Sequence, residues 1–304
     1  MNTSIDRRQF VHKAALATTG LALAGADRII AAPGDIQFGY AAITWQGQDR
    51  QAIEDVAAVG FKGIQLRTSA LPEFGDKPAA LKELLAKHRL TMVAFSSGNV
   101  RIEPEFEAED IATHVKHARF VRDAGGLYLQ LIDARPRRAL VAADYRRIGS
   151  LLTEIGKRTA DLGIPVAYHH HMNSIGERPE EVDRVLDATD PRYVKVLLDI
   201  AHYQQGGGDP VRAVRKFSDR ILFLHIKDVQ SPLPGNTGEP MRSYRFVELG
   251  RGSVDIKGVF AALNEIKFKG WAIVELDAVP DKAHSPKESA VIARTYLAQL
   301  GFTV

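Results

Sequence analysis

Short apolar runs alternate along this chain with longer stretches in which apolar residues return every three or four positions. QFGYAA (37–42), KGIQL (62–66), TMVAFSS (91–97) and LYLQLI (127–132) read as strands. So do IPVAYHHH (164–171), YVKVLLDI (193–200), ILFLHIKD (221–228) and WAIVEL (271–276). Helical patterns follow each in turn, over 49–60, 77–88, 109–125, 144–163, 179–188, 209–218, 255–266 and 286–301. Leu81, Leu84 and Leu85 show the i, i+3, i+4 spacing of one buried helix face. Gly60 closes the first helix.

Strict β–α alternation implies a parallel sheet with right-handed crossovers. Eight such units fit a closed (β/α)8 TIM barrel, an α/β fold, better than an open sheet, and predict one domain over residues 33–304. No strand–helix turn carries a phosphate-cradling glycine motif; GQDRQA and GGGDP are poor imitations. Connections are short except for residues 230–253, a length expected of a lid or a substrate wall.

Charge changes the picture mainly at the N-terminus. The formal charge is +3, and residues 1–32 supply two of those charges through Arg7, Arg8, Lys13 and Arg28 against Asp6 and Asp27. The remaining body is near neutral, which excludes an electrostatic grip on nucleic acid. IDRRQFVHK followed by AALATTGLALAGA has the layout of an export signal: a basic pair, a short weakly apolar stretch, then small residues at Ala24 and Ala26. The arginine pair with Phe10 and Lys13 predicts a twin-arginine-type signal over 1–32, a periplasmic location and no membrane anchor after processing. An uncleaved amphipathic helix is the alternative. Cysteine is absent, which removes disulfides and thiolate ligands and permits an oxidising compartment.

The active face of such a barrel lies at the C-terminal strand ends. There the fifth strand carries His169, His170 and His171, and the sixth Asp199 and His202. The seventh carries His225, Lys227 and Asp228, and the eighth Glu275 and Asp277. Alternation along a strand puts His169 with His171, His225 with Lys227, and Glu275 with Asp277. Imidazole and carboxylates gathered at a wet barrel mouth suit a divalent ion such as Mn²⁺, Co²⁺, Mg²⁺ or Zn²⁺. Asp228 and Asp277 are read as caps or partners of basic residues. His12, His88, His114 and His117 are assigned to the signal or to solvated helix faces. Lys227 has two readings, a substrate-binding group or an ion pair with Asp199 or Glu275.

As a set these segments resemble the sugar phosphate isomerase/epimerase superfamily with the xylose-isomerase-like barrel, and within it inosose dehydratase and its relatives. The likeness runs through YAAITWQGQDRQAIEDVAAVGFKGIQL, YHHHMNSIGERPEEVDRVL, LLDIAHYQQGGGDP, RILFLHIKDV and GWAIVELDAVPDKAHSPKESA. It implies one divalent metal, Mn²⁺ foremost, with Asp199, His225 and Glu275 as ligands. Glu177 is expected as the fourth, with His169 or His171 as the alternative. His169, His171, His202 and Lys227 are then the catalytic and substrate-binding groups. Asn173-Ser174 departs from the Gly-Thr usual after this segment.

The implied chemistry is removal of a proton α to a carbonyl, followed by reprotonation or by loss of a β-oxygen. The expected substrate is a small carbohydrate: a keto-sugar, a keto-cyclitol or a 3-keto-glycoside, unphosphorylated if the protein is exported. A non-catalytic periplasmic carbohydrate-binding barrel is the alternative. A DNA-cleaving barrel would need more zinc ligands and a basic groove. Homo-oligomers are common among such barrels.

Overall fold

The computed structural model describes residues 35–235 and 238–304, so the candidate signal segment lies outside the described residues. Eight parallel strands close into a barrel in the order β1-β10-β7-β6-β5-β4-β3-β2. They are β1 (Ile36–Ala41), β2 (Gly63–Arg67), β3 (Thr91–Val100), β4 (Tyr128–Asp133), β5 (Val166–His169), β6 (Val194–Asp199), β7 (Ile221–Ile226) and β10 (Gly270–Val274). The expected fold and all eight β–α pairs are present. Around them lie α1 (Asp49–Val59), α2 (Pro78–Lys87), α3 (Glu107–Asp123), α4 (Ala142–Ala160), α5 (Pro179–Asp187), α6 (Ile200–Gln205), α7 (Pro210–Lys216), α8 (Ile256–Glu265) and α9 (Pro286–Gln299).

Helix starts follow local chemistry. Proline opens α2, α5, α7 and α9, where its missing N–H leaves no helix bond unmade. Ser285 caps α9 by accepting from the Glu288 N–H, and Glu288 returns the bond to the Ser285 N–H at 2.7 Å, an arrangement worth about 1 kcal/mol. Among the described residues no helix is long and apolar enough to cross a membrane.

Inside the barrel, alternation stacks the site on an apolar floor. Ala167, Leu197, Phe223 and Ile273 are fully buried, and each lies two residues before a polar residue of the mouth. Trp271 fills the barrel lower down because Gly63 has no side chain; a Cβ there would meet the Trp271 ring at 2.5 Å. The floor excludes water from below and leaves only the C-terminal face open.

Two departures from the sequence reading matter to the site. Residues 230–253 are not only loop: β8 (Asp228–Gln230) pairs antiparallel with β9 (Arg245–Val247), making a hairpin over the mouth. Asp228 organises its base, accepting N–H bonds from Gly250, Gly252 and Val254 at 2.9–3.1 Å. The fifth strand also ends earlier than its apolar run suggests, at His169 rather than His171.

Candidate metal centre

Asp199 ends β6 and caps α6 in the same stroke. Its Oδ1 accepts from the N–H groups of Ala201 and His202, at 3.0 and 2.8 Å. That leaves Oδ2 facing the barrel mouth, 3.3 Å from His225 Nδ1. Burial would raise this carboxyl, but the Lys227 charge and the helix N–H groups hold it down, at about 2. It is therefore a carboxylate throughout the physiological range.

His225 is the centre of the arrangement. Its Nε2 lies 2.9 Å from Gln65 Oε1, an acceptor, so the proton sits on Nε2 and Nδ1 carries a lone pair. That lone pair points at two anions, Asp199 Oδ2 at 3.3 Å and Glu275 Oε1 at 3.4 Å. Three electron-rich atoms converging in a buried space repel one another unless a cation lies among them. His169 completes the set. One ligand atom from each of His169, Asp199, His225 and Glu275 falls within 4.8 Å of the others, and all four residues are buried. His169 Nδ1 is buried without any hydrogen-bond partner. Burial, then the neighbouring His225, pushes its pKa well below the ordinary imidazole value, which keeps it neutral and able to ligate. Two imidazoles and two carboxylates fit a divalent transition ion by geometry and by chemistry.

Glu177, expected as the fourth ligand, is outside this group. Its carboxylate forms a bidentate pair with Arg242 of the hairpin, Oε2 accepting from Nη2 at 2.9 Å, and Oε1 also accepts the Asn173 N–H at 2.8 Å. Burial would raise Glu177, yet Arg242 and Asn173 hold it below the usual carboxylate range. The cause of the displacement is tertiary. The loop after β5 is pinned by the Asp133 carboxylate, which accepts from the Ile175 N–H and the Tyr168 hydroxyl, and this carries Glu177 toward the hairpin.

The remaining histidines divide by environment. His171 donates Nδ1–H to the Met172 carbonyl at 2.7 Å, so its Nε2 has a free lone pair; the ring lines the open cavity. His202 packs against it with ring centroids 3.8 Å apart, and burial drives His202 well below its ordinary pKa. His169, His171 and His202 also offer atoms within 4.8 Å of one another. Lys227 Nζ stands only 3.4 Å from His202 Nε2, and its charge opposes a second cation there. His170 faces the other way, accepting the Asp199 N–H at 3.3 Å, and burial lowers it to about 4.

Lys227 is fully buried yet paired: Nζ donates to Glu275 at 2.9 Å and Asp277 at 2.6 Å, under the Phe246 ring of β9 at 4.0 Å. Burial lowers an ammonium, but Asp277, Glu275 and Asp199 outweigh it and raise Lys227 above its ordinary value. The ion-pair reading of Lys227 and the partner reading of Asp277 both describe this contact. The charge of the hairpin's target is thus fixed.

His114 and His117 are not on a solvated face. Both are buried against β3, and Ser97 Oγ lies 2.6 and 2.7 Å from their Nδ1 atoms. Sequence reasoning also missed Gln65 and Gln130. Neutral amides inside a strand carry no charge signal, although two glutamines in otherwise apolar strands are themselves unusual.

Above the ligand group opens a cavity of about 290 Å³. His169, His171, Glu275 and Asp277 line one side, and Arg67, Asn99 and Gln130 are among those lining the other. The His171 ring and two members of the candidate ligand group, His169 and Glu275, therefore line one small polar chamber.

The profile of the xylose isomerase-like TIM barrel matches residues 53–298. The inosose dehydratase of Lacticaseibacillus casei is 28% identical over 295 residues, covering 86% of this chain and 96% of that protein. The rhizopine catabolism protein MocC of Rhizobium meliloti is 29% identical over 273 residues, covering 80% and 82%. Among solved structures, the IOLI protein with a bound zinc atom superposes with a TM-score of 0.74 at 19% identity, over 87% of this chain and 97% of that one. At that identity the structural likeness speaks for the fold alone. With its barrel, its ligand-bearing strand ends and a profile match over most of its length, the chain belongs to the xylose isomerase-like TIM barrel family.

Proposed function

We propose that the protein is a divalent-metal-dependent dehydratase acting on a keto-cyclitol or a closely related keto-sugar. The observation that carries this is the convergence of His169, Asp199, His225 and Glu275 beside an open cavity into which His171 presents a free Nε2. The similarity to inosose dehydratases supports the substrate class. A divalent ion held by those four residues supplies the positive charge that favours negative charge developing on a carbonyl oxygen.

The protein's own groups account for the proton. His171 is held as a single tautomer by its bond to the Met172 carbonyl, so Nε2 takes the proton from the carbon α to the carbonyl. The resulting imidazolium returns that proton to the β-hydroxyl as the C–O bond breaks with its electron pair. The products are water and the unsaturated ketone, with every atom and charge accounted for. Lys227 is not the base, because three carboxylates keep it protonated. It pairs with Glu275 and Asp277, and the β8–β9 hairpin covers it with Phe246.

Mn²⁺ is the proposed ion, with Co²⁺, Mg²⁺ and Zn²⁺ as the alternatives, since a mixed nitrogen and carboxylate set without thiolate does not demand zinc. We also propose export through residues 1–32, on the strength of Arg7-Arg8 and the short apolar stretch behind them. Replacing both arginines by lysine should leave the protein in the cytoplasmic fraction; unchanged periplasmic recovery would remove this part of the proposal.

The function is tested by stripping the protein with a chelator, reloading it with Mn²⁺, Co²⁺, Mg²⁺ or Zn²⁺, and adding 2-keto-inositol or 3-keto-glucosides in D₂O. NMR should show loss of the α-proton signal and release of water only in reloaded samples. A protein that retains metal and binds these compounds without deuterium uptake or elimination is a binding barrel, and the proposal fails.

A further inference from the structure

The wall of the cavity opposite the ligands has a polarity of its own. In the barrel order, β2 stands across from β6, and β3 across from β7. Gln65 and Arg67 are two residues apart on β2 and so share the inward face, Arg67 one layer nearer the mouth. Gln65 Oε1 accepts from His225 Nε2, which turns its Nε2 toward Gln130, and that group donates to Gln130 Oε1. That bond takes one lone pair of the Gln130 oxygen, while the Gln130 N–H groups make no hydrogen bond among the described residues, and the side chain lines the cavity. Arg67 lines it too, and its guanidinium makes no hydrogen bond or ion pair among the described residues. Its charge acts on Asp49, a carboxyl that burial raises and Arg67 lowers. Between these groups Gly98, at φ 102°, leaves open space where a Cβ would meet nothing within 4 Å.

We propose that Arg67 and Gln130 form a subsite whose N–H groups grip acceptor oxygens at the end of the substrate remote from the cation. The oxygens are those of a carboxylate or of neighbouring ring hydroxyls. Charge favours such a group: Arg67 places a positive charge, bound by no hydrogen bond or ion pair among the described residues, on the cavity wall. Arg67 is on this reading the residue that sets specificity. The inference rests on the same cavity being the substrate site of the proposed dehydratase.

Binding rather than turnover tests it. Mn²⁺-loaded wild type, Arg67→Met, Arg67→Lys and Gln130→Glu are titrated with myo-inositol and with quinate, by ligand-observed NMR. Melting temperature and Mn²⁺ affinity confirm that each variant is folded. At least one probe should bind wild type, and Arg67→Met should weaken it roughly tenfold or more, with Arg67→Lys between the two. Preference for quinate assigns the subsite to a carboxylate, and equal binding assigns it to hydroxyls. Gln130→Glu, which replaces donors by an anion, should weaken quinate more than myo-inositol. Failure of both probes to bind wild type, or equal binding by wild type and Arg67→Met, overturns the subsite. Turnover of a keto-cyclitol with unchanged KM in Arg67→Met would do the same while leaving the proposed reaction standing. Arg67-dependent binding in a protein that turns over no ketone would leave the subsite and remove the reaction.

Discussion

Gln65 Oε1 lies 2.9 Å from His225 Nε2, and through this one contact a neutral residue of β2 decides which nitrogen of the seventh-strand histidine faces the ligand group. Gln65→Leu removes the acceptor and frees His225 to place its proton on Nδ1, between Asp199 and Glu275. Divalent-ion affinity should then fall about 10–100-fold, as is usual when the partner of a ligating histidine is lost. Titration of Mn²⁺ into the stripped variant measures it; wild-type affinity would show that the tautomer is set elsewhere.

Asp199 performs two tasks that one substitution can separate. Asn keeps a side-chain oxygen for the Ala201 and His202 N–H groups, and the two residues cap helices about equally well. Asp199→Asn should therefore retain near wild-type stability while losing metal on dialysis, whereas Asp199→Ala should lose both metal and about 1 kcal/mol of stability. Metal content by plasma mass spectrometry and urea unfolding give the two readings. Retention of metal by Asp199→Asn would break the ligand assignment.

How far this site was legible depends on what kind of force placed each residue. The eight strands are buried on both faces and read as apolar runs, and prolines mark four of the helix starts, so the barrel follows from local pattern. The strand pattern also puts Asp199, His225 and Glu275 among the polar residues of the active end, and the family resemblance, rather than alternation, marks these three as ligands. Glu177 and His169 could not be ranked that way. Glu177 is turned to Arg242 in a loop fastened by the Ile175 N–H bond to the Asp133 carboxylate, 42 residues away, a tertiary contact with no local signature. His114 and His117 deceived for a related reason: a polar residue on a helix looks solvated until Ser97 of a neighbouring strand is found beneath it.

His171 should be separable from the metal. Its Nδ1 bond to the Met172 carbonyl leaves Nε2 for the substrate, and Gln at this position cannot remove a proton. His171→Gln should hold divalent ion as wild type does, yet lose solvent-deuterium exchange at the α-carbon by roughly 10²–10⁴-fold. An equal loss of metal affinity would make His171 a ligand rather than the base.

His117 makes the fold sensitive to acid. Burial, reinforced by His114, lowers its pKa to about 4, against an ordinary value of 6.5. Above pH 6.5 neither folded nor unfolded chain binds this proton. Between 6.5 and 4 the unfolded chain takes it up and the folded one does not, so stability drops as pH falls through that window and the loss is complete below it. His117→Gln removes the titration. Its stability deficit relative to wild type, measured by urea unfolding at pH 7, 5.5 and 4.5, should narrow by about 1 kcal/mol or more toward acid. A constant deficit would mean that His117 takes up its proton equally in the folded and the unfolded chain.

The pair between Glu177 and Arg242 ties the hairpin's approach to the loop after β5, and it offers the sharpest separation of strap from ligand. Glu177 is 3% exposed and Arg242 is 44% exposed on its outer side, so the bond is half-shielded and its loss frees the strap rather than the barrel. Arg242 also donates to Asn173 Oδ1 at 3.1 Å, and the neighbouring Met241 carbonyl accepts from Gln205. Removing the guanidinium therefore loosens two contacts and leaves a third. Arg242→Ala should quicken proteolytic cleavage within 230–245 and raise KM several-fold, with little change in divalent-ion affinity, because a mobile cover binds substrate less well. Glu177→Gln, which keeps the shape and one hydrogen-bond acceptor while removing the negative charge, should show the same pattern more weakly. If Glu177→Gln instead releases the ion as readily as Asp199→Asn does, Glu177 must swing into the ligand group, and the fourth position belongs to it rather than to His169.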